Sequence, residues 1–430
     1  MVPRRLGTWA AMAMVVSQVV GVGIFLTPAT MMRTVGSLPI ALEVWALMGV
    51  LSAAGALCYA ELTTRFPSAG GAYVFLREAF GARTAFVYGW MALLVMDPGI
   101  TAALGIGLAQ YLVAAIGAPA TLIPAIAIAS IALFGALALL GINASARVMA
   151  WTAAAKLAIV GLLVGAAVVR GRSSGVDVGI ESMPSTQALA ASLISAFFAF
   201  GGWWEFGRMA EDVHSPRRTM PRALVGGIAL VTVIYVLASV AYMLAAPHAA
   251  PATDEAFVAL VGANLFGAAG GSLLAVVVVI AVSGSLAATL LGAPRLYVAM
   301  SRDGLFPARL ARTDVRRGSV PASTLVQVVL ASGLILIGTF NDILGYFVPS
   351  VVFFLGLSAA AILVLPRPQS RQDVFEAPLH PLPISLFLTL IVVMLALFVI
   401  GQTRQTLIGA AVVALGIPVS WIVVRRRVEA

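Results

Sequence analysis

The sequence predicts an all-α, polytopic membrane protein with about twelve spanning helices, two of them interrupted inside the bilayer. Three observations carry this. Of the 430 residues, 61% are hydrophobic and only 10% charged, against roughly a quarter charged in soluble domains. A surface this apolar needs lipid as its solvent. The apolar residues fall into uncharged runs of about 20, the length that crosses a hydrocarbon core. Two of these runs hold glycine clusters at matched depth.

In order, the runs are Leu6–Met32, Ile40–Tyr59, Ala85–Ala115, Ala120–Leu140, Val148–Val169 and Ala188–Phe206. Then come Ala223–Ala245, Gly267–Val298, Ala322–Phe340, Leu344–Leu365, Ile384–Ile400 and Thr406–Val424. The first run is too long for a signal-peptide core and reads as a retained helix. Cys58 is the only cysteine, which excludes an intramolecular disulfide; in an apolar run it reads as a small core residue.

The net charge of +9 invites a nucleic-acid reading, but the positions of the arginines exclude it. They gather in alternate loops: Arg4 and Arg5; Arg65, Arg77 and Arg83; Arg147; Arg217, Arg218 and Arg222; Arg302 to Arg317; Arg367 and Arg371; Arg425 to Arg427. The intervening loops hold chiefly Arg170, Arg172 and Arg404. That asymmetry is the positive-inside pattern, and it predicts that both termini are cytoplasmic in a cell (inner or plasma) membrane.

Interrupted helices survive in lipid only where they line a cavity or are buried in protein. One cluster is Gly21-Val22-Gly23-Ile24-Phe25 followed by Thr27-Pro28; the other runs from Phe197 through Phe198, Ala199, Phe200, Gly201 and Gly202 to Trp203. Gly21 lies about 21 Å into helix 1 and Gly201 about 20 Å into helix 6, at 1.5 Å per residue. The two helices enter from opposite faces, and each heads a group of five. This is the pattern of inverted repeats around a midplane binding site. The competing reading is close helix packing through small residues; matched depth in matched positions favours unwinding. Freed N–H groups hold a carboxylate, helped by the helix dipole, and freed carbonyls hold an ammonium. An α-amino acid presents both charges.

Lys156 is the only lysine among 26 basic residues and lies about nine residues into helix 5. A charge in a span is costly and usually functional. An ammonium is compact enough for a small cation site and can release its proton, unlike a guanidinium. Snorkelling to the headgroups is the bland alternative, but about 13 Å of depth is beyond comfortable reach.

At these residues a resemblance becomes visible. Gly21 to Pro28 resembles the helix-1 glycine segment of the amino acid–polyamine–organocation superfamily of permeases. Ala60 to Tyr73 and Arg77 to Gly81 are similar to its second-helix and first cytoplasmic-loop signature. Phe197 to Trp203, then Glu211 to Pro221, resembles its helix-6 segment, and Ser285 through Arg295 to Ser301–Pro307 its helix-8 ending. The ordered match spans residues 7 to 366.

The resemblance implies a LeuT-like fold: a first repeat over 1–170 (helices 1–5), a second over 185–366 (helices 6–10), and helices 11 and 12 with the C-terminus over 380–430. It implies alternating access around Gly21, Val22, Gly23, Ile24, Phe198, Ala199, Phe200, Gly201, Gly202 and Trp203. It also implies that Lys156 replaces a sodium ion, with helix-1 carbonyls near Val20 and Gly21 and the hydroxyl of Ser285 as partners; Ser283 is the competing hydroxyl. Where relatives often place one aromatic and then an acid after the glycines, this chain has Trp203-Trp204-Glu205, which displaces Glu205 by one position.

Other residues carry blander readings. Asp97 precedes Pro98-Gly99 and reads first as an N-cap on the second half of a kinked helix, and second as a substrate or proton group. Tyr235 could place a hydroxyl at the site, but a bond to a neighbouring helix is the commoner use. Glu211, Asp212, Arg217 and Arg218 read as solvated loop charges or as parts of an inward gate. Trp90, Trp151 and Trp421 read as interfacial anchors. His214, His248 and His380 are scattered, no metal constellation or P-loop occurs, and the sequence calls for no enzyme activity and no cofactor. It points to a secondary carrier or exchanger of neutral amino acids, with the bilayer, the substrate and possible protons as partners and no obligatory protein partner evident. An exporter or a carrier of polyamines and other organic amines is the alternative within transport. A sensor or structural subunit is the alternative outside it, disfavoured by loops of only about 20 residues.

Overall fold

The protein is described from a computed structural model over residues 7–66, 71–140, 156, 158, 160–167, 169, 184–245, 257–314, 319–366 and 374–429. Among these residues the regular structure is helical apart from a bridge residue at Val213 and an isolated bridge between Asp314 and Ser319. Among the described residues, nine continuous helical segments are long and apolar enough to span a membrane, with shorter apolar helices beside them. The protein is an all-α multi-pass membrane protein.

Helix 1 of the sequence reading is two helices, α1 (Thr8–Val19) and α2 (Gly23–Val35), and α3 follows over Leu38–Arg65. α4 (Ala72–Met91) changes direction at Gly81, whose φ of +84° only glycine adopts without strain. A π-helical segment, Ala92–Met96, leads into α5 (Asp97–Ile116), which Gly117 closes in the left-handed conformation. α6 covers Ile123–Leu139. Of the run Val148–Val169, residues 156, 158, 160–167 and 169 are described, and all are helical.

Helix 6 is α7 (Thr186–Ala199), capped by the Ser185 hydroxyl on the Ala188 amide, then a turn at 200–202 and a 3₁₀ segment, Trp203–Asp212. α8 is Pro216–Ala245, α9 Phe257–Phe266, α10 Ala268–Gly292 and α11 Pro294–Arg302. α12 is Pro321–Ile337 and α13 Phe340–Val364, whose start carries a capping box between Thr339 and Asp342. α14 (Leu382–Gly401) and α15 (Thr403–Glu429) complete the chain. α9 lies between two predicted spans and was not anticipated; its ten residues are too few to cross a bilayer.

The two broken helices lie side by side. α2 packs along α7, and α1 meets the 3₁₀ segment after the turn. α8 touches both, packing on α1 and meeting the 3₁₀ segment after the turn, and lies along α3 over its length. On the face carrying the arginine-rich loops, Arg77 Nη1 and the Tyr73 hydroxyl both donate to Asp303 Oδ2, at 2.9 and 2.6 Å. Two stretches that were separate signatures in the sequence thus meet at one carboxylate.

Trp151, His248, Arg4, Arg5, Arg147, Arg170, Arg172, Arg316, Arg317, Arg367 and Arg371 lie outside the described residues, as do the side chains of Glu211, Asp212, Arg426 and Arg427. Trp421 is exposed and lies under the Arg83 guanidinium at 4.8 Å, as an interfacial residue would. Trp90 is tied to α15 through Nε1 to the Val412 carbonyl at 2.9 Å.

Candidate functional site

Between α1 and α2 the backbone leaves the helix at Val20, with ψ of +86°, and re-forms it at Gly23. The first N–H groups of a helix have no intrahelical acceptor, so those of Gly23 and Ile24 start α2 unserved by it; Phe25 and Leu26 already bond to the Val22 carbonyl. Pro28 does not end the helix as its place in the glycine segment suggested: α2 runs through it. Its effect is local, since a proline lacks the N–H that would meet the Ile24 carbonyl.

In helix 6 the break is narrower than the predicted Phe197–Trp203. Phe198 and Ala199 are the last residues of α7, and Phe200, Gly201 and Gly202 form the turn. Gly202 has φ of +106°, and a Cβ there would lie 3.1 Å from the Gln18 carbonyl oxygen. Conformation and close approach both demand glycine. Trp203 begins the 3₁₀ segment, buried edge-on against Tyr59 at 5.2 Å.

Gly23 is the point of closest approach. A Cβ built there would lie 2.4 Å from Ala199 Cα, a backbone atom that cannot swing away. This corrects the expectation that Gly23 sits in an unwound stretch: it is the first residue of α2, and its missing side chain lets the two half-helices touch. Helix interruption and small-residue packing are therefore both present, at neighbouring residues. Gly21 is different; a Cβ there would meet the Ser285 hydroxyl at 3.5 Å and the Val19 carbonyl oxygen at 3.8 Å, both ordinary contacts.

Lys156 is buried, at 4% exposure. Its Nζ donates to Ser285 Oγ at 2.8 Å and reaches the Ser17 carbonyl at 3.5 Å. The helix-1 carbonyl is Ser17, one turn before the expected Val20. Ser283, the competing hydroxyl, instead donates to the Val279 carbonyl within α10 at 2.8 Å. Residues at i and i+2 point to different faces of a helix, so only one of the pair can meet the lysine.

Tyr235 on α8 donates to the Val19 carbonyl at 3.0 Å and to the Ala199 carbonyl at 2.8 Å. These are the last residues of α1 and α7. Trp45 and Phe200 hold its ring edge-on at 5.1 and 5.2 Å. Other polar groups join the second half of helix 1 to its surroundings: Thr27 Oγ1 donates to the Ser195 carbonyl at 3.2 Å and the Tyr111 hydroxyl to the Phe25 carbonyl at 2.7 Å.

Asp97 is not a cap. It continues a helix from the π-helical segment, with helical φ and ψ. Its Oδ2 instead accepts from the Tyr297 hydroxyl of α11 at 2.7 Å, deep in the protein. π-segments often mark functional positions; here the segment turns Asp97 toward α11. Glu205 is half-buried in the 3₁₀ segment, its amide bonded to the Gly202 carbonyl at 3.0 Å. Near the turn a small cavity, with room for about one water, is lined by Tyr59, Tyr88, Trp204 and Phe354 among others.

Comparison with known proteins completes the description. The family model described as amino acid permease matches residues 6–422. The b(0,+)-type amino acid transporter 1 of Mus musculus is 27% identical, over 92% of this chain and 82% of that one. The Cystine/glutamate transporter of Homo sapiens is 27% identical, over 96% and 84%. The Serine/threonine exchanger SteT of Bacillus subtilis (strain 168) is 24% identical, over 94% and 92%. The chain belongs to the amino acid permease family, a family of transport proteins and not of enzymes.

Proposed function

We propose that this amino acid permease is a sodium-independent secondary carrier or exchanger of neutral amino acids, working by alternating access. The observation that carries the reading is the juxtaposition of two broken helices with Lys156 beside them. The amides at the start of α2 suit a carboxylate, and the carbonyls ending α1 and α7 suit an ammonium. Gly21 to Ile24 and Phe198 to Trp203 form the substrate site on this reading. Buried Phe200 and Trp203 offer no charge to a substrate side chain, and Glu205 is the nearest acid on that segment.

Lys156 stands where a coupling cation would otherwise bind. Its ammonium takes one carbonyl and one hydroxyl as partners, ligands a sodium ion would share. Residues 1–170 and 185–366 act as the two inverted halves, with 380–430 appended, and both termini face the cytoplasm of a cell membrane as the arginine distribution favours. The relative named for cystine and glutamate makes substrate charge the point most worth testing. Counterflow of labelled alanine, leucine, arginine and glutamate into proteoliposomes, with and without sodium, tests the whole reading. Equal counterflow of the neutral pair in both salts supports it; strict sodium dependence, or a response to the charged pair alone, overturns it.

A further inference from the structure

α15 lies antiparallel against α4. Trp90 Nε1 donates to the Val412 carbonyl at 2.9 Å. Gly416 lets the same ring lie on α15, since a Cβ there would come within 2.7 Å of Trp90 Cδ1. Seven residues earlier on α4, about 10 Å along its axis, the contact has moved to Arg83, whose guanidinium carbon stands 4.8 Å from the centre of the Trp421 ring. The first arginine after the Gly81 bend is thus brought to the last turns of α15, just before Arg425-Arg426-Arg427. Residues four apart share a helix face, so Arg425 stands one turn beyond Trp421 on the same side. Arg83, Trp421 and Arg425 are all exposed.

The charge here is of one sign. Arg83 makes no ion pair among the described residues, and the one acid of α4, Glu78, is held by Arg77 at 3.1 Å. A ring face attracts the guanidinium charge but has no lone pair to accept an ordinary hydrogen bond, so the N–H donors of Arg83 stay available to a ligand.

We propose that Arg83, Trp421 and Arg425 form a binding site for the phosphate headgroup of an anionic phospholipid, on the membrane face that carries the arginine-rich loops. Guanidinium groups match phosphate oxygens in a two-pronged fork, and tryptophan favours the headgroup level. Ile417, one turn deeper on the Trp421 face, is half exposed at 51% and offers an apolar surface to an acyl chain. That continuity favours a lipid over a soluble phosphate. The headgroup neutralises two arginines from helices far apart in sequence and so clamps the end of α15 to the start of the α4 span.

The test mixes the purified protein in detergent with equal amounts of phosphatidylglycerol and phosphatidylcholine and counts the retained lipids by native mass spectrometry. Preferential retention of phosphatidylglycerol is expected. Arg83→Gln and Arg425→Gln are each expected to weaken it about fivefold, and the double variant to abolish the preference. Both side chains are exposed, so folding does not depend on them. A control double variant, Arg309→Gln with Arg312→Gln, removes the same charge from exposed positions elsewhere and is expected to keep the preference. Trp421→Ala leaves both charges and is expected to weaken retention about threefold. Equal loss in the two double variants would mean diffuse attraction and overturn the site, as would undiminished preference in the Arg83 and Arg425 double variant or in Trp421→Ala. Millimolar glycerol 3-phosphate, which lacks acyl chains, is expected to displace no lipid; displacement would assign the site to a soluble phosphate ester and overturn the lipid assignment.

Discussion

The ammonium of Lys156 sits 2.8 Å from the hydroxyl of Ser285, joining residues 129 positions apart in the chain. The same ammonium reaches the Ser17 carbonyl at the end of α1. One charge thus connects the first half of helix 1 to α10, inside a protein that excludes water from it.

On the proposed reading this charge fills a cation site and holds two elements together, and both roles require a compact ammonium. Lys156→Ala is expected to abolish exchange of neutral amino acids while the protein still inserts and purifies. Lys156→Arg is expected to fail as well, because a planar guanidinium does not fit between one hydroxyl and one carbonyl. The check is counterflow in proteoliposomes; full activity in Lys156→Ala would falsify the role.

Gly23 and Gly21 separate two uses of glycine. Gly23→Val forces α2 off the Ala199 backbone, so ligand-induced thermal stabilisation is expected to vanish and the thermal midpoint itself to fall. Gly21→Ala adds a methyl at ordinary contact distance from Ser285 and is expected to keep the midpoint. Equal midpoints for both variants would contradict the packing argument.

On the proposed reading, a lining without a charge for the substrate side chain favours neutral amino acids. Alanine, leucine and phenylalanine are expected to stabilise the purified protein in a thermal-shift screen, and arginine and lysine to leave it unmoved. High-affinity arginine binding with the neutral set ignored would refute this.

The Asp97–Tyr297 bond gives a paired test. Asp97→Asn retains an oxygen that accepts from the Tyr297 hydroxyl, whereas Asp97→Ala removes it, at a cost of about 1–3 kcal/mol for a buried polar group. A lower midpoint is expected for alanine than for asparagine. The reverse order would overturn the assignment of the stabilisation to that hydrogen bond.

Glu61 is nearly fully buried near the end of α3. It pairs with Arg65 and accepts the Ala377 amide through Oε2 at 3.0 Å, while Thr64 accepts the Phe375 amide at 3.0 Å. Glu61→Ala leaves the Arg65 guanidinium buried without this partner, and breaking a buried pair costs about 3–5 kcal/mol. A large fall in midpoint, with faster proteolysis at 374–377, is the expected outcome; resistance equal to the unmodified protein would argue that Glu61 does not anchor residues 374–377 to α3.

The sequence by itself determined what local chemistry determines. Apolar run lengths set the spanning helices because each must satisfy its own backbone in lipid, and the described spans fall where those runs lie. The glycine pairs marked both interruptions, and the sole lysine in helix 5 marked the buried cation, because a charge or a missing side chain in a span has few other uses. Registers and partners were decided only by the tertiary structure. Ser285 over Ser283, the Ser17 carbonyl in place of Val20, and the two bonds of Tyr235 depend on how neighbouring helices rotate and slide. A shift of one residue turns a helix face by about 100°. Asp97 read as a cap because Asp-Pro is a local signal, and its actual partner lies 200 residues away. Gly23 shows both levels in one residue: composition announced a special backbone position, and only the approach of Ala199 revealed that the empty space of its side chain is what brings the two broken helices together.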